Sequence, residues 1–160
     1  MRLLSATDVT SLTRLLSGYG LQLQLVAANE PIPGSYWGES EAGLAGHALY
    51  ARADTPLHSV LHEAAHFVCM NPQRRIGLNR DAGGDDAEEC AVCYLQILMS
   101  DAIEGVTRGQ IYEDMDRWGY SFRLGCARSW FEADAADARS WLLEHGLIDE
   151  AAHPTGALRG

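Results

Sequence analysis

The chain contains no lysine, and twelve arginines carry all of its side-chain positive charge apart from histidine. The chain also contains 22 aspartates and glutamates, so its formal net charge is −10. Binding to nucleic acid or to an anionic membrane normally requires a basic face, which this composition does not favour. The sequence therefore predicts neither a nucleic-acid partner nor a membrane partner.

Long apolar runs and export features are missing as well. No run approaches the roughly 18 apolar residues of a membrane span, and residues 1–16 lack the continuous apolar region of a signal peptide. The cysteines do not resemble a disulfide framework, and the CxxC pair has no second CxxC with which to bind zinc. The cysteines are Cys69, Cys90, Cys93 and Cys126. We expect a cytoplasmic protein with reduced thiols.

Hydrophobic periodicity and turn residues predict a mixed α+β chain. The length of 160 residues favours one domain over 1–150, helical from about residue 106, with a flexible tail over 151–160. Helices are predicted at 7–17, 56–70, 86–103, 108–118, 121–133 and 135–145, and strands at 21–27 and 45–52. Turn-rich segments predict loops over 29–40 and 71–84, the second with one short strand at 76–78.

A metal-binding pattern lies within the helix predicted over 56–70, in "LHSVLHEAAHFVC" (57–69). His62 and His66 are four residues apart, so both imidazoles share one helix face and can bind the same ion. Glu63 directly follows the first ligand and points away from the metal, which suits a general base acting on water. This HExxH pattern is typical of zinc hydrolases and predicts Zn²⁺ as the cofactor.

A catalytic zinc takes three protein ligands, so a third must come from elsewhere in the chain. The HExxHxxGxxH class is excluded, because Cys69 replaces its glycine and Pro72 replaces its third histidine. A carboxylate from the helix predicted over 86–103 is the other solution. Glu89 begins the least apolar stripe of that helix, and a carboxylate facing inward there needs a cation. Glu88 stays an alternative third ligand, although the helix dipole favours it in solvent.

Other residues are candidates for the surroundings of the metal or the substrate. His58, one turn before the first ligand, either lines the site, bonds in a second layer around the ligands, or faces solvent. A hydrolase also needs a donor that stabilises the oxyanion. The candidates for that donor are Tyr94, Tyr112, Tyr120, His145 and an arginine of residues 74–80.

An HExxH helix followed by a helix that begins with an acidic residue resembles the gluzincin-type zinc metallopeptidases. More narrowly, "EECAVCYLQILM" (88–99) resembles the E-A-N-x-F-A-x-x-L-L-M-P helix of the ImmA/IrrE-like metallopeptidase domain. Glu89 falls on the zinc-binding glutamate of that motif. The likeness covers about residues 20–105. The chain departs from the motif at Cys90-Ala91, at Cys93-Tyr94 and at Ser100.

This resemblance implies a zincin-like α+β fold, in which a small N-terminal sheet packs on the HExxH helix and on a buried helix bearing the glutamate. It also implies hydrolysis of a peptide bond in a peptide or protein substrate, with Glu63 as the base. The alternative is a zinc-binding regulatory or interaction module without significant turnover, whose aromatic C-terminal third contacts a partner. A fourth protein ligand in place of water would favour that alternative.

Overall fold

The structure is a computed structural model that describes residues 1–35, 40–78 and 83–160. Within these ranges the chain forms seven α-helices and a three-stranded sheet, so the fold is mixed α+β, as predicted. The elements are α1 (Val9–Gly18), β1 (Gln22–Leu25), β2 (Gly43–Ala45), β3 (Ala48–Ala51), α2 (Leu57–Cys69), α3 (Pro72–Ile76), α4 (Asp86–Met99), α5 (Arg108–Trp118), α6 (Ala127–Ala133) and α7 (Ala136–Glu144). In the described ranges, no helix combines the length and the apolar character needed to cross a membrane.

The sheet has the strand order β1-β3-β2, with β1 parallel and β2 antiparallel to the central strand. The strand predicted over 45–52 is present as β3, but it is shorter, because the first predicted residues belong to the end of β2 and to the turn that follows it. Gly46 sits in that turn with φ of +60°, a conformation that glycine adopts without strain. The chain reverses there, and Leu44 pairs with Leu49 across the resulting hairpin.

Helix α2 lies between the sheet and α4, and its packing against α4 is the most extensive contact between elements of the described chain. Its apolar face is fully buried, and the side chains that form this face are Leu57, Leu61, Ala64, Ala65 and Val68. Helix α4 is buried along most of its length from Ala91 to Met99. The histidine-bearing helix and the glutamate-bearing helix are therefore held rigidly beside each other by the core.

Side-chain caps fix the start of four of the described helices, α1, α3, α4 and α5. Asp8 accepts a hydrogen bond from the Ser11 amide at 3.3 Å, and Asp85 accepts one from the Glu88 amide at 2.9 Å. Helix α2 starts differently from the prediction, because Pro56 is its N-cap rather than its first helical residue. The register of the HExxH residues on α2 is unaffected by this shift.

Two connecting segments also differ from the prediction. The expected strand at 76–78 is wrong, because Pro72–Ile76 forms a helix whose Asn71 cap accepts a hydrogen bond from the Arg74 amide. Helix α6 begins at Ala127 instead of 121, after Gly125 adopts a φ of +89°. Residues 36–39 of the predicted loop 29–40, and residues 79–82 of the predicted loop 71–84, lie outside the described residues.

The final residues, expected to be flexible, contact the core through Arg159. Its backbone N–H donates to the Val68 carbonyl at 3.0 Å, and its guanidinium donates to the Cys69 carbonyl at 3.2 Å and to Glu88 at 3.0 Å. The same guanidinium lies over the ring of Trp141, 5.1 Å from its centroid. The end of the chain is thus tied to α2, α4 and α7 together.

We expect Arg159→Ala to lower the free energy of unfolding by about 2 kcal/mol, because it removes charge-assisted hydrogen bonds to a buried carboxylate. Arg139→Ala is the matched control, since the guanidinium of Arg139 reaches only the exposed Glu150 carbonyl. Its cost should stay below about 0.5 kcal/mol, as is usual at the surface. Urea unfolding of both variants measures the difference, and equal losses would contradict an anchoring role for Arg159.

Candidate metal centre

The structure brings His62, His66 and Glu89 to one point between α2 and the first turn of α4. The Nε2 atoms of the two histidines are 3.1 Å apart. Glu89 places Oε1 3.2 Å from His62 Nε2 and Oε2 3.2 Å from His66 Nε2. Of the residues that the structure describes, this is the one group of three or more His, Cys, Asp or Glu side chains arranged to hold a metal ion. These are the three ligands predicted from the sequence.

One side of this cluster is open to solvent. The Glu89 side chain is 48% exposed, whereas the side chains of His62 and His66 are 16% and 9% exposed. The imidazoles are held by the buried helix α2, and the carboxylate reaches them from the outer end of α4. Solvent therefore reaches the cluster from the Glu89 side.

The neighbouring Glu88 points elsewhere, and the expectation that it lies in solvent is wrong. The residue is 3% exposed. Its carboxylate pairs with the guanidinium groups of Arg74 and Arg159, each at 3.0 Å from Oε1. Both oxygens are engaged there, since Oε2 also accepts from Arg74. The structure therefore does not bring Glu88, the alternative third ligand, to the imidazoles.

A buried glutamine orients the first histidine. His62 Nδ1 lies 2.7 Å from Gln96 Oε1, and the Gln96 amide nitrogen donates to the His58 carbonyl at 3.1 Å and to the Tyr120 hydroxyl at 3.3 Å. Because the amide nitrogen uses its hydrogens on those two acceptors, the amide oxygen must face His62. His62 Nδ1 therefore keeps its proton, and Nε2 is the atom that takes a proton or a metal ion.

The charges around the cluster favour a cation between the two rings. Burial disfavours a charged His62, yet Tyr120, Cys93 and Glu89 together raise its pKa well above the ordinary value. Burial likewise raises the pKa of Glu89, but hydrogen bonds from both histidines outweigh it and hold that pKa far below its usual range. The cluster therefore favours a positive charge, which either a proton on His62 or a metal ion that displaces it can supply.

The predicted base, Glu63, is half-buried beside the cluster. Burial, and to a smaller extent the charge of Glu89, raise the pKa of Glu63, whereas the charges of His62 and His66 lower it. Burial is the largest of these effects, so the pKa lies above its ordinary value. A second carboxylate, Glu41, has its pKa raised by burial and by Glu63. The site thus combines carboxylates from three segments of the chain, which further favours a bound cation.

One of the predicted alternatives placed His58 in solvent, and this alternative is wrong. The residue is 1% exposed, and its Nδ1 lies 3.2 Å from the Tyr120 hydroxyl. Burial, with a smaller contribution from His62, lowers its pKa to about 4, so it is neutral near pH 7. His58 and Tyr120 form an inner layer behind His62, and Gln96 joins them to it.

The other candidates for an oxyanion donor lie in different surroundings. Tyr94 stacks on Phe131 with ring centroids 4.4 Å apart, and Tyr112 also packs against Phe131. His145 lies against Trp141. In the 74–80 segment Arg74 pairs with Glu88, Arg75 donates to backbone carbonyls including that of Phe67, and Arg80 lies outside the described residues. Tyr120 is the candidate that the structure places beside a predicted ligand, with ring centroids 5.6 Å apart.

Two residues of the polar stripe on α4 touch the site without having been assigned a role from the sequence. Gln96 orients His62, and Cys93 helps to raise the pKa of the same histidine. Their signal was present, because polar or thiol groups four and seven residues after Glu89 share its face of an otherwise apolar helix. Glu41, in contrast, lies in a loop and carried no sequence signal.

No protein-family model, no curated protein and no solved structure matches this chain.

We expect Glu89→Gln to lower zinc affinity by at least 100-fold, because it replaces a ligand carboxylate with a neutral amide. Glu88→Gln is the matched control one position away, and it should keep the zinc affinity while destabilising the fold, because two arginines lose their buried partner. Competition with a chromophoric chelator measures the affinity, and urea unfolding measures the stability. The reverse pattern, with metal lost only in Glu88→Gln, would contradict the ligand assignment.

Gln96→Leu should reduce zinc affinity by about 10- to 100-fold, the usual effect of removing a group that orients a metal-bound histidine. Gln96→Glu restores an acceptor for His62 Nδ1 and should recover most of the loss. Chelator competition again gives the affinity, and far-ultraviolet circular dichroism checks that each variant is folded. If the leucine variant binds zinc as tightly as the parent protein, the glutamine does not orient the ligand.

Proposed function

We propose that this protein is a zinc-dependent metallopeptidase of the gluzincin type, with His62, His66 and Glu89 as the zinc ligands. The observation that carries the proposal is the close approach of the donor atoms: the two Nε2 atoms are 3.1 Å apart, and each lies 3.2 Å from a different carboxylate oxygen of Glu89. In a tetrahedral shell with zinc–ligand distances of about 2.0–2.1 Å, neighbouring donors lie roughly 3.3 Å apart. The spacing of the side chains therefore suits zinc before any rearrangement.

The chemistry of the donors supports zinc over calcium and magnesium. Two imidazole nitrogens and one carboxylate form a known catalytic zinc set, whereas calcium and magnesium prefer oxygen ligands alone. Three protein ligands also leave one position of a four-coordinate shell for water or substrate. The exposure of Glu89 agrees with such an open position, because solvent reaches the cluster from that side.

When bound, zinc lowers the pKa of a coordinated water and polarises the carbonyl of the substrate. Glu63 then has the task of accepting the proton of the attacking water and passing it to the leaving amine. Gln96 keeps His62 in the tautomer that offers Nε2 to the metal.

A specific observation keeps the second function, a zinc-binding module without turnover, under consideration. The Cys93 side chain is close enough to His62 to raise its pKa by a hydrogen bond. A thiolate that closed the shell as a fourth ligand would turn the centre into a structural zinc site. Cobalt substitution separates the two functions, because a sulfur ligand gives an intense near-ultraviolet charge-transfer band that Cys93→Ser abolishes.

We expect Glu63→Gln to retain one zinc per chain and to lower kcat on a peptide substrate by at least 100-fold, the lower end of what a positioned base contributes. The measurements are metal content by elemental analysis and turnover of a quenched fluorescent peptide library by the zinc-loaded protein. Glu41→Gln is a matched control, since it also neutralises a carboxylate near the cluster, and its effect should be smaller. Equal turnover in the Glu63 variant and the parent protein would show that the base is misassigned.

A further inference from the structure

A cavity of about 510 Å³ opens directly beside the metal centre. It lies between the start of α4, residues 121–123 and the start of α7, and Glu89 belongs to its wall. Its volume is within the range of about 300–1,000 Å³ that is common for ligand sites. Because Glu89 also faces the two imidazoles, the cavity and the metal centre share this side chain as a common wall.

The inner wall of the cavity is aromatic. Phe122 and Trp130 both line it, and their rings stack with centroids 4.8 Å apart and an interplanar angle of 23°. Trp130 is 4% exposed, so its position is fixed by the surrounding core. Such a wall contacts the aliphatic part of a long side chain and attracts a cation placed over a ring face.

The rim of the cavity is negatively charged. Asp86 and Asp137 line it from the first turns of α4 and α7, and both side chains are exposed. Arg123, the basic residue of the lining, is paired with Asp134 at 2.7 Å. Its charge is therefore already balanced within the protein. Apart from Glu89, which faces the imidazoles, the remaining charge of the lining comes from Asp86 and Asp137 and favours a positively charged ligand group.

We propose that this cavity binds an arginine or lysine side chain of a polypeptide substrate, within one or two residues of the bond at the metal. The aliphatic stem of that side chain lies along Phe122 and Trp130, and its cation lies between Asp86 and Asp137. This inference rests on the proposed peptidase function, whose substrate class it names: polypeptides that carry a basic residue beside the site of cleavage.

The first experiment measures binding and needs no turnover. Four fluorescein-labelled peptides share one neutral sequence and differ only at the central position, which is arginine, lysine, glutamine or glutamate. Their binding to zinc-loaded Glu63→Gln protein is measured by fluorescence anisotropy. We expect the arginine and lysine peptides to bind at least tenfold more tightly than the glutamine peptide. When Asp86→Asn and Asp137→Asn are combined with Glu63→Gln in the same chain, the preference for basic over glutamine peptides should fall below about threefold. The matched control, Glu113→Gln with Glu144→Gln, removes two exposed charges outside the lining and should leave the ratio unchanged.

The second experiment repeats the comparison as kcat/KM with the protein that retains Glu63. A preference for basic peptides that disappears with the two aspartates supports the inference. Binding or cleavage without that preference, or a preference that survives the double substitution, overturns the inference and leaves the peptidase proposal standing. Binding that prefers basic peptides without cleavage of any of them supports the cavity and overturns the peptidase proposal instead. If no peptide binds and none is cleaved, both proposals are wrong.

Discussion

The close approach of two imidazole nitrogens and one carboxylate is the constraint around which this structure is organised. The three side chains approach one another to 3.1–3.2 Å, an arrangement that a positive charge among them stabilises. Carboxylates from three segments lie around this point, and Gln96 leaves one ring nitrogen of His62 available for the charge. A metal ion can supply this charge with a favourable set of donors.

The packing of α2 and α4 fixes the positions of the two histidines and the glutamate. Helix α2 is buried between the sheet and α4, so its histidines cannot turn away without exposing a fully buried apolar face. Helix α4 brings Glu89, Cys93 and Gln96 to the same side because their spacing follows the helical repeat. Ligands on two packed helices are positioned more accurately than ligands on loops. The open side of the cluster, by contrast, is bordered by the connecting segments that also line the adjacent cavity.

Spacing along single helices was the part of the site that could be predicted from the sequence. His62 and His66 follow from an i, i+4 pair, and Glu89 follows from a polar stripe on an otherwise apolar helix. Glu88 could not be placed correctly, because its partners Arg74 and Arg159 come from segments that are 14 and 71 residues away in the chain. The turn between β2 and β3 was not predicted for a related reason. Gly46 lies in a segment with the pattern of a strand, and only the pairing of β2 with β3 shows that the chain reverses there. Motifs of a few residues place ligands, but they do not establish a family, since the chain departs from the resembling helix at Cys90, Ala91 and Ser100.

The ion pairs of Glu88 have a mechanical consequence for its neighbour. Adjacent residues on a helix point about 100° apart, so Glu88 and Glu89 contact different parts of the protein from the same turn of α4. Arg159 and Arg74 hold one side of that turn, and the imidazoles hold the other. These ion pairs help to fix the turn in place, while the burial of α4 from Ala91 to Met99 keeps Glu89 directed at the histidines. The closing residues of the chain thus stabilise the turn that carries the metal-facing carboxylate, although they lie on the other side of the helix.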